Sequence, residues 1–169
     1  MEGMKMALAQ ELGLRRSIQV LEHETILNIY YTAAQVKKRA TEFFQHYGLT
    51  DVQFNVMMLL VYQVDSRGGL TQAQLGSMML VNRANITSLI DRMERDGLVV
   101  RTAAAGDRRS NLIKMTSKGK KLFKIVEPFY AQQVRQVMSV VSAAAQKRLI
   151  ESLEMIRAGL SSANKTGWQ

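Results

Sequence analysis

Two short stretches of this chain carry side chains suited to chemistry, and that chemistry is recognition rather than bond-making. The first runs from Asn82 to Asp96. Its apolar members Ile86, Leu89, Ile90 and Met93 fall on one face at helical spacing. Ala84, Thr87, Ser88, Asp91 and Arg95 gather on the opposite face, with Asn85 and Arg92 on its flanks and Arg83 beside the Asn82 cap. Small side chains let a helix approach a groove closely, and Asn, Arg, Thr and Ser bond to base edges or phosphates. An ordinary solvated helix face has the same composition. The second stretch is Gly106-Asp107-Arg108-Arg109-Ser110. Two adjacent arginines on a projecting turn are hard to bury. They suit a narrow, negative minor groove or phosphate contact, with Asp107 placed to hold one guanidinium. The alternative there is a solvated charged turn.

No catalytic set accompanies these stretches. The chain has no cysteine, which removes thiolate metal sites, Cys nucleophiles and thiol redox sensing together. Gly68-Gly69 reads as a turn rather than a phosphate loop, and no Ser/His/Asp set is suggested by local context. Asp91, Glu94 and Asp96 lie on one segment among arginines, where ion pairing accounts for them. His23 and His46 are far apart in sequence, and a metal site wants more ligands than that. The expectation is a protein that is not an enzyme and carries no cofactor and no metal.

Charge points the same way. The 169 residues carry 23 Lys plus Arg against 14 Asp plus Glu, a formal +9 that favours a polyanionic partner. Eleven of the cations fall in residues 83–124 against four anions, so +7 of the excess is local. No apolar run approaches the roughly 18 residues a membrane span needs, and the first residues do not resemble a secretory signal. A cytoplasmic protein with no membrane partner is expected. The mixed charges of residues 143–160 favour a protein interface over a membrane surface.

Something must position the two stretches. Residues 4–20 could form a short helix, and residues 22–46 a longer one ending at Gly48. Leu49-Thr50-Asp51-Val52-Gln53-Phe54 has a Thr cap, a Gln three residues on and apolar residues at both ends: a capping box with a hydrophobic staple. The helix it starts is expected to reach Arg67-Gly68-Gly69. Leu70-Thr71-Gln72-Ala73-Gln74-Leu75 repeats the device before a short helix. Asn82 caps a third helix, which Gly97 stops. The period then changes. Residues 98–102 and 111–115 read as two strands of a hairpin with a long tip over 103–109. Thr116 caps a helix that Pro128 kinks or divides, and residues 129–141 and 143–160 are helical again. Three helices followed by a hairpin is the winged-helix order. The fold class expected is mainly α with a small β-hairpin wing. The flanking helical blocks have only each other or a second subunit to pack on.

The order of these segments resembles the multiple-antibiotic-resistance regulator (MarR) family. The resemblance is carried by the two capping boxes, by Asn82 through Val99, by Asp107-Arg108-Arg109-Ser110, and by Met115-Thr116-Ser117-Lys118-Gly119. It spans about residues 25–125. It implies an obligate homodimer on a pseudo-palindromic operator, usually acting as a repressor, with a small aromatic or phenolic anion as effector in an interlobe cleft. The recognition helix would be Asn82–Arg92 and the wing tip Asp107–Arg109, with Arg109 in the minor groove. By family position, Tyr30, Tyr31, His46 and Met57 are candidate pocket residues, although core filling explains the methionines at least as well. The resulting division is an extension over 1–21, a dimerisation helix over 22–48, a DNA-binding domain over 49–117, C-terminal dimerisation helices over 118–162 and a loose tail over 163–169. Two rival readings remain: a nucleoid-type protein binding DNA without sequence choice, and an enzyme acting on a small aromatic in the cleft.

Overall fold

Backbone groups left unbonded at helix ends decide where most elements of this chain start and stop. The computed structural model describes residues 8–64, 68–79, 83–104 and 107–163, and the backbone alone of Arg83, Ala84, Ala104, Asp107–Ser110, Ser162 and Ala163. The elements are α1 (Leu8–Glu11), α2 (Leu21–Gln45), α3 (Asp51–Tyr62), β1 (Leu70–Thr71), α4 (Gln72–Met78), α5 (Arg83–Arg95), β2 (Val99–Ala104), β3 (Asp107–Met115), α6 (Ser117–Met138) and α7 (Ala143–Ala163). They fall into two compact units, Met1–Phe123 and Lys124–Gln169, with α6 running from one into the other.

Both capping boxes form. Thr50 N donates to Gln53 Oε1 at 2.8 Å and Gln53 N to Thr50 Oγ1 at 3.2 Å. Thr71 and Gln74 repeat the exchange at 2.9 and 3.2 Å. Each pair satisfies two helix-end donors reciprocally. The stops are glycines. At Gly97 the φ of 72° lets Leu98 N reach back to Met93 O at 2.8 Å and Gly97 N to Glu94 O at 2.9 Å. This is a Schellman ending, with Met93 and Leu98 both buried beneath it. Gly48 ends α2 in the same way through Leu49 N to Phe44 O at 3.1 Å.

Four expectations need correction. The helix expected over residues 4–20 ends at Glu11 as α1, and residues 1–7 lie outside the described residues. It ends where Leu14 N turns back to Ala9 O, and Leu12 and Leu14 are exposed. The α3 helix stops at Tyr62 rather than running to Arg67. Pro128 does not divide α6, which continues through it to Met138 although the ring removes one backbone donor. Finally, the sheet has three strands rather than two. Leu70 and Thr71 pair with Ile113 and Leu112, giving the antiparallel order β1-β3-β2. This pairing needs Gly69, because a Cβ there would meet Ile113 O at 2.8 Å.

The core of the first unit is an aromatic stack surrounded by aliphatic side chains. Phe54 of α3 lies between Phe44 of α2, 4.7 Å away by ring centroid, and Phe123 of α6, 5.5 Å away. Leu75, Ile86, Ile90, Met93, Val99 and Ile113 complete it from α4, α5 and the sheet. Full burial of each such side chain contributes roughly 1.5–3 kcal/mol. The lobe therefore holds α5 and the sheet in a fixed relation.

Candidate nucleic-acid interface

The α5 helix is sharply two-sided. Ile86, Leu89, Ile90 and Met93 are buried, while Asn85, Thr87, Ser88, Asp91, Arg92 and Arg95 are exposed. From Asn85 to Arg95 the expected recognition face is therefore free of the core. Asn82 lies outside the described residues, and Arg83 and Ala84 are placed in the first turn by backbone. α4 packs on α5 at close range: a Cβ on Gly76 would come to 4.0 Å from Ile86 Cγ2. The pair makes the helix-turn-helix.

The wing differs from the simple hairpin with a long tip. Asp107, Arg108, Arg109 and Ser110 belong to β3, and β2 extends to Ala104. The register runs regularly from Val99↔Met115 to Ala103↔Asn111 and then jumps to Ala104↔Asp107. Arg108, Arg109 and Ser110 thus form an irregular stretch opposite a single step of β2. An irregularity of this kind re-aims side chains at a sheet edge. Residues 105–106 of the tip lie outside the described residues.

Sequence reasoning counted Arg101 only as one cation among many, yet it joins the two candidate elements. From β2 its guanidinium binds both Asp91 and Glu94 of α5, and its backbone N–H donates to Glu94 Oε1 at 2.9 Å. The expected pairing of these carboxylates thus comes from a strand arginine rather than from the helix's own. Asp91 is half exposed and already engaged. The Glu94 carboxyl is held below its ordinary pKa, first by the Arg101 N–H and, against partial burial, by the guanidinium. A carboxyl with a lowered folded-state pKa stabilises the fold above its unfolded pKa, and that stability is lost as pH falls through the folded value. The Arg101 amide resonance should therefore titrate with a midpoint below that of an unpaired glutamate. A midpoint at or above that value would contradict the bonding.

The base of the lobe is tied by the Met115–Gly119 segment. Thr116 Oγ1 donates to Gly97 O at 2.6 Å and accepts from Gly119 N at 3.0 Å, and Lys118 Nζ donates to Asp96 O at 2.6 Å. The basic run of residues 83–124 is therefore not one patch. A 13-residue helix is about 20 Å long. The start of α6, with Lys118, Lys120 and Lys121, sits at the C-terminal end of α5, far from the end that begins at Arg83.

The four pocket candidates do not converge within the chain. Met57 has no accessible surface and is core. Tyr30 is exposed, Tyr31 half-buried, and both sit 15–16 residues before His46 on or at the end of α2, about 23 Å along the axis. The exposed His46 ring donates from Nδ1 to Glu42 O at 2.7 Å. Among the described residues no three His, Asp or Glu side chains cluster to hold a metal, and no helix is long and apolar enough to cross a membrane.

Comparison with known proteins fits this geometry. A model of the MarR family matches residues 47–110, from the end of α2 through the irregular stretch of β3. Over 153 residues the chain is 30% identical to the uncharacterised helix-turn-helix-type transcriptional regulator YkoM of Bacillus subtilis, covering 88% of this chain and 96% of that protein. Its fold is similar to that of AbsC, a MarR family transcriptional regulator from Streptomyces coelicolor, with a TM-score of 0.75 at 17% identity, over 87% of this chain and 99% of that one. It is also similar to MepR of S. aureus, solved as a complex with DNA, with a TM-score of 0.70 at 20% identity, over 78% and 93% of the two chains. The match on the lobe and the relative covered almost end to end lead to one conclusion: this chain belongs to the MarR family of winged-helix transcription regulators.

Proposed function

We propose that the chain acts as a homodimer that binds a pseudo-palindromic operator in double-stranded DNA and represses transcription. The observation that carries this reading is the exposed polar face of α5, with Asn85, Thr87, Ser88 and Arg92 opposite a fully buried apolar face. In this reading Asn82 to Arg92 enter the major groove, and Asp107, Arg108, Arg109 and Ser110 bring the wing to the flanking minor groove. Exposed apolar side chains support the dimer: Ile26 and Val36 on α2, and Ile150, Met155 and Leu160 on α7. Two recognition helices in successive major grooves put half-sites about 10 base pairs apart. A small aromatic or phenolic anion would release the DNA by binding more tightly to a dimer whose helices are wrongly spaced.

Selection of bound duplexes from a random pool tests the reading. A two-fold symmetric consensus with half-sites near one helical turn apart is the expected result. Salt-sensitive binding to every duplex, with no consensus, would instead favour a non-specific architectural protein. Arg109→Ala should weaken binding to the selected duplex while leaving the dimer intact. Loss of one phosphate contact from each protomer of the dimer should also flatten the dependence of log K on log salt by about 1.8. Unchanged affinity and slope at moderate salt would remove Arg109 from the interface.

A further inference from the structure

The two elements assigned to DNA belong to different layers of the lobe, and a single side chain spans them. Arg101 lies opposite the fully buried Ile113 in the β2–β3 register, so its side chain leaves the sheet on the face packed toward the core. There it meets Asp91 and Glu94, which stand three residues apart on α5. A planar guanidinium with donors on two edges bridges two such carboxylates in a fixed geometry, which the rotatable point charge of a lysine does not impose. Glu94 also accepts from the Arg101 backbone N–H at 2.9 Å, so the helix grips the strand itself and not only its side chain.

We propose that Arg101 is a positioning residue for DNA binding: it fixes the wing against the recognition helix and takes Asp91 out of base readout. The inference rests on the DNA-binding reading above. A half-site read by a helix in one groove and a wing in the next requires both at a set angle. A wing free to pivot would have to be ordered on binding, which lowers affinity. Asp91, with its oxygen bound to Arg101, supports the angle rather than selecting a base.

The test uses the duplex selected by the wild-type chain and a scrambled duplex of equal length. Arg101→Ala should lose about tenfold on the selected duplex and much less on the scrambled one. Arg101→Lys should recover only part of the loss. Asp91→Asn, which leaves the Glu94 grip in place, should select the same consensus as the wild type. Wild-type affinity in Arg101→Ala would overturn the proposal. So would equal losses on both duplexes, which would make Arg101 a simple charge contact, and so would an altered consensus in Asp91→Asn. Amide exchange of β2 without DNA judges the clamp separately from the DNA-binding reading. Residues Val99–Ala104 should exchange faster in the Asp91→Asn/Glu94→Gln variant, by a larger factor than the amides of α3. That variant keeps the arginine and serves if Arg101→Ala does not fold. Unchanged exchange overturns the clamp whether or not the wild type selects a DNA sequence.

Discussion

Gly119→Ala is expected to destabilise the winged-helix lobe by about 3 kcal/mol or more, lowering its melting temperature by roughly 10 °C or more. A Cβ on Gly119 would stand 2.2 Å from Leu98 O and 3.1 Å from Leu98 C. These are backbone atoms rather than the end of a flexible side chain, so they cannot simply swing aside. They are also held from several directions. Leu98 N is bonded to Met93 O, and Leu98 O accepts from Thr116 N at 3.1 Å. Thr116 Oγ1 meanwhile ties Gly97 O to the first turn of α6. Making room for one methyl means moving α6 away from the end of α5, which breaks this set together. The same change at Gly76 should do the reverse. A Cβ there would meet only Ile86 Cγ2 at 4.0 Å, an ordinary contact, and alanine is the better helix former by about 1 kcal/mol. Thermal unfolding of the two variants side by side checks both signs. A Gly119→Ala protein that melts with the wild type would mean the close approach of α6 to Leu98 is wrong.

That contrast also explains what could be read in the sequence. Elements whose ends are fixed locally were legible. Thr50 with Gln53, Thr71 with Gln74, and the stops at Gly48 and Gly97 each depend on residues within a few positions of one another. The two faces of α5 followed from spacing alone. What escaped depends on partners far along the chain. β1 is two residues long and exists only because β3 lies beside it. Arg101 meets Asp91 and Glu94 because the chain turns back through Gly97 and Leu98, and its position among eleven cations carried no mark of this. Phe123 completes the aromatic stack from a helix that sequence reasoning placed with the dimerisation blocks. The one available hint was spacing: Arg101 lies seven residues after Glu94, across a predicted helix stop and within a predicted strand. The pocket candidates rest on family position alone, and a cleft between two subunits is not written in one chain. Within one chain Tyr30 and Tyr31 stand some four turns of α2 from His46, and Met57 is buried in the core.

Ser88→Glu is expected to reduce affinity for the selected duplex by about 100-fold or more, because like charges brought together at an interface cost several kcal/mol and 1.4 kcal/mol is tenfold. Ser88 is exposed on α5, with Asn85 three residues before it and Arg92 four residues after it on the same stripe. The substitution should leave the fold intact, since the site is open and glutamate forms helix at least as well as serine. It also has a second effect in the same direction. A glutamate four residues before an arginine pairs with it along a helix, so Arg92 would be drawn from phosphate or base to the new carboxylate. Ser88→Ala separates charge from contact. It removes one hydroxyl and keeps the close approach, so its loss should be about tenfold or less. Ser88→Lys tests approach against charge: a long cation should hold scrambled DNA as well as the wild type does, but lose the preference for the selected sequence. A Ser88→Glu protein that keeps operator affinity would show that α5 meets DNA by another face, and the interface would have to be rebuilt around the wing alone.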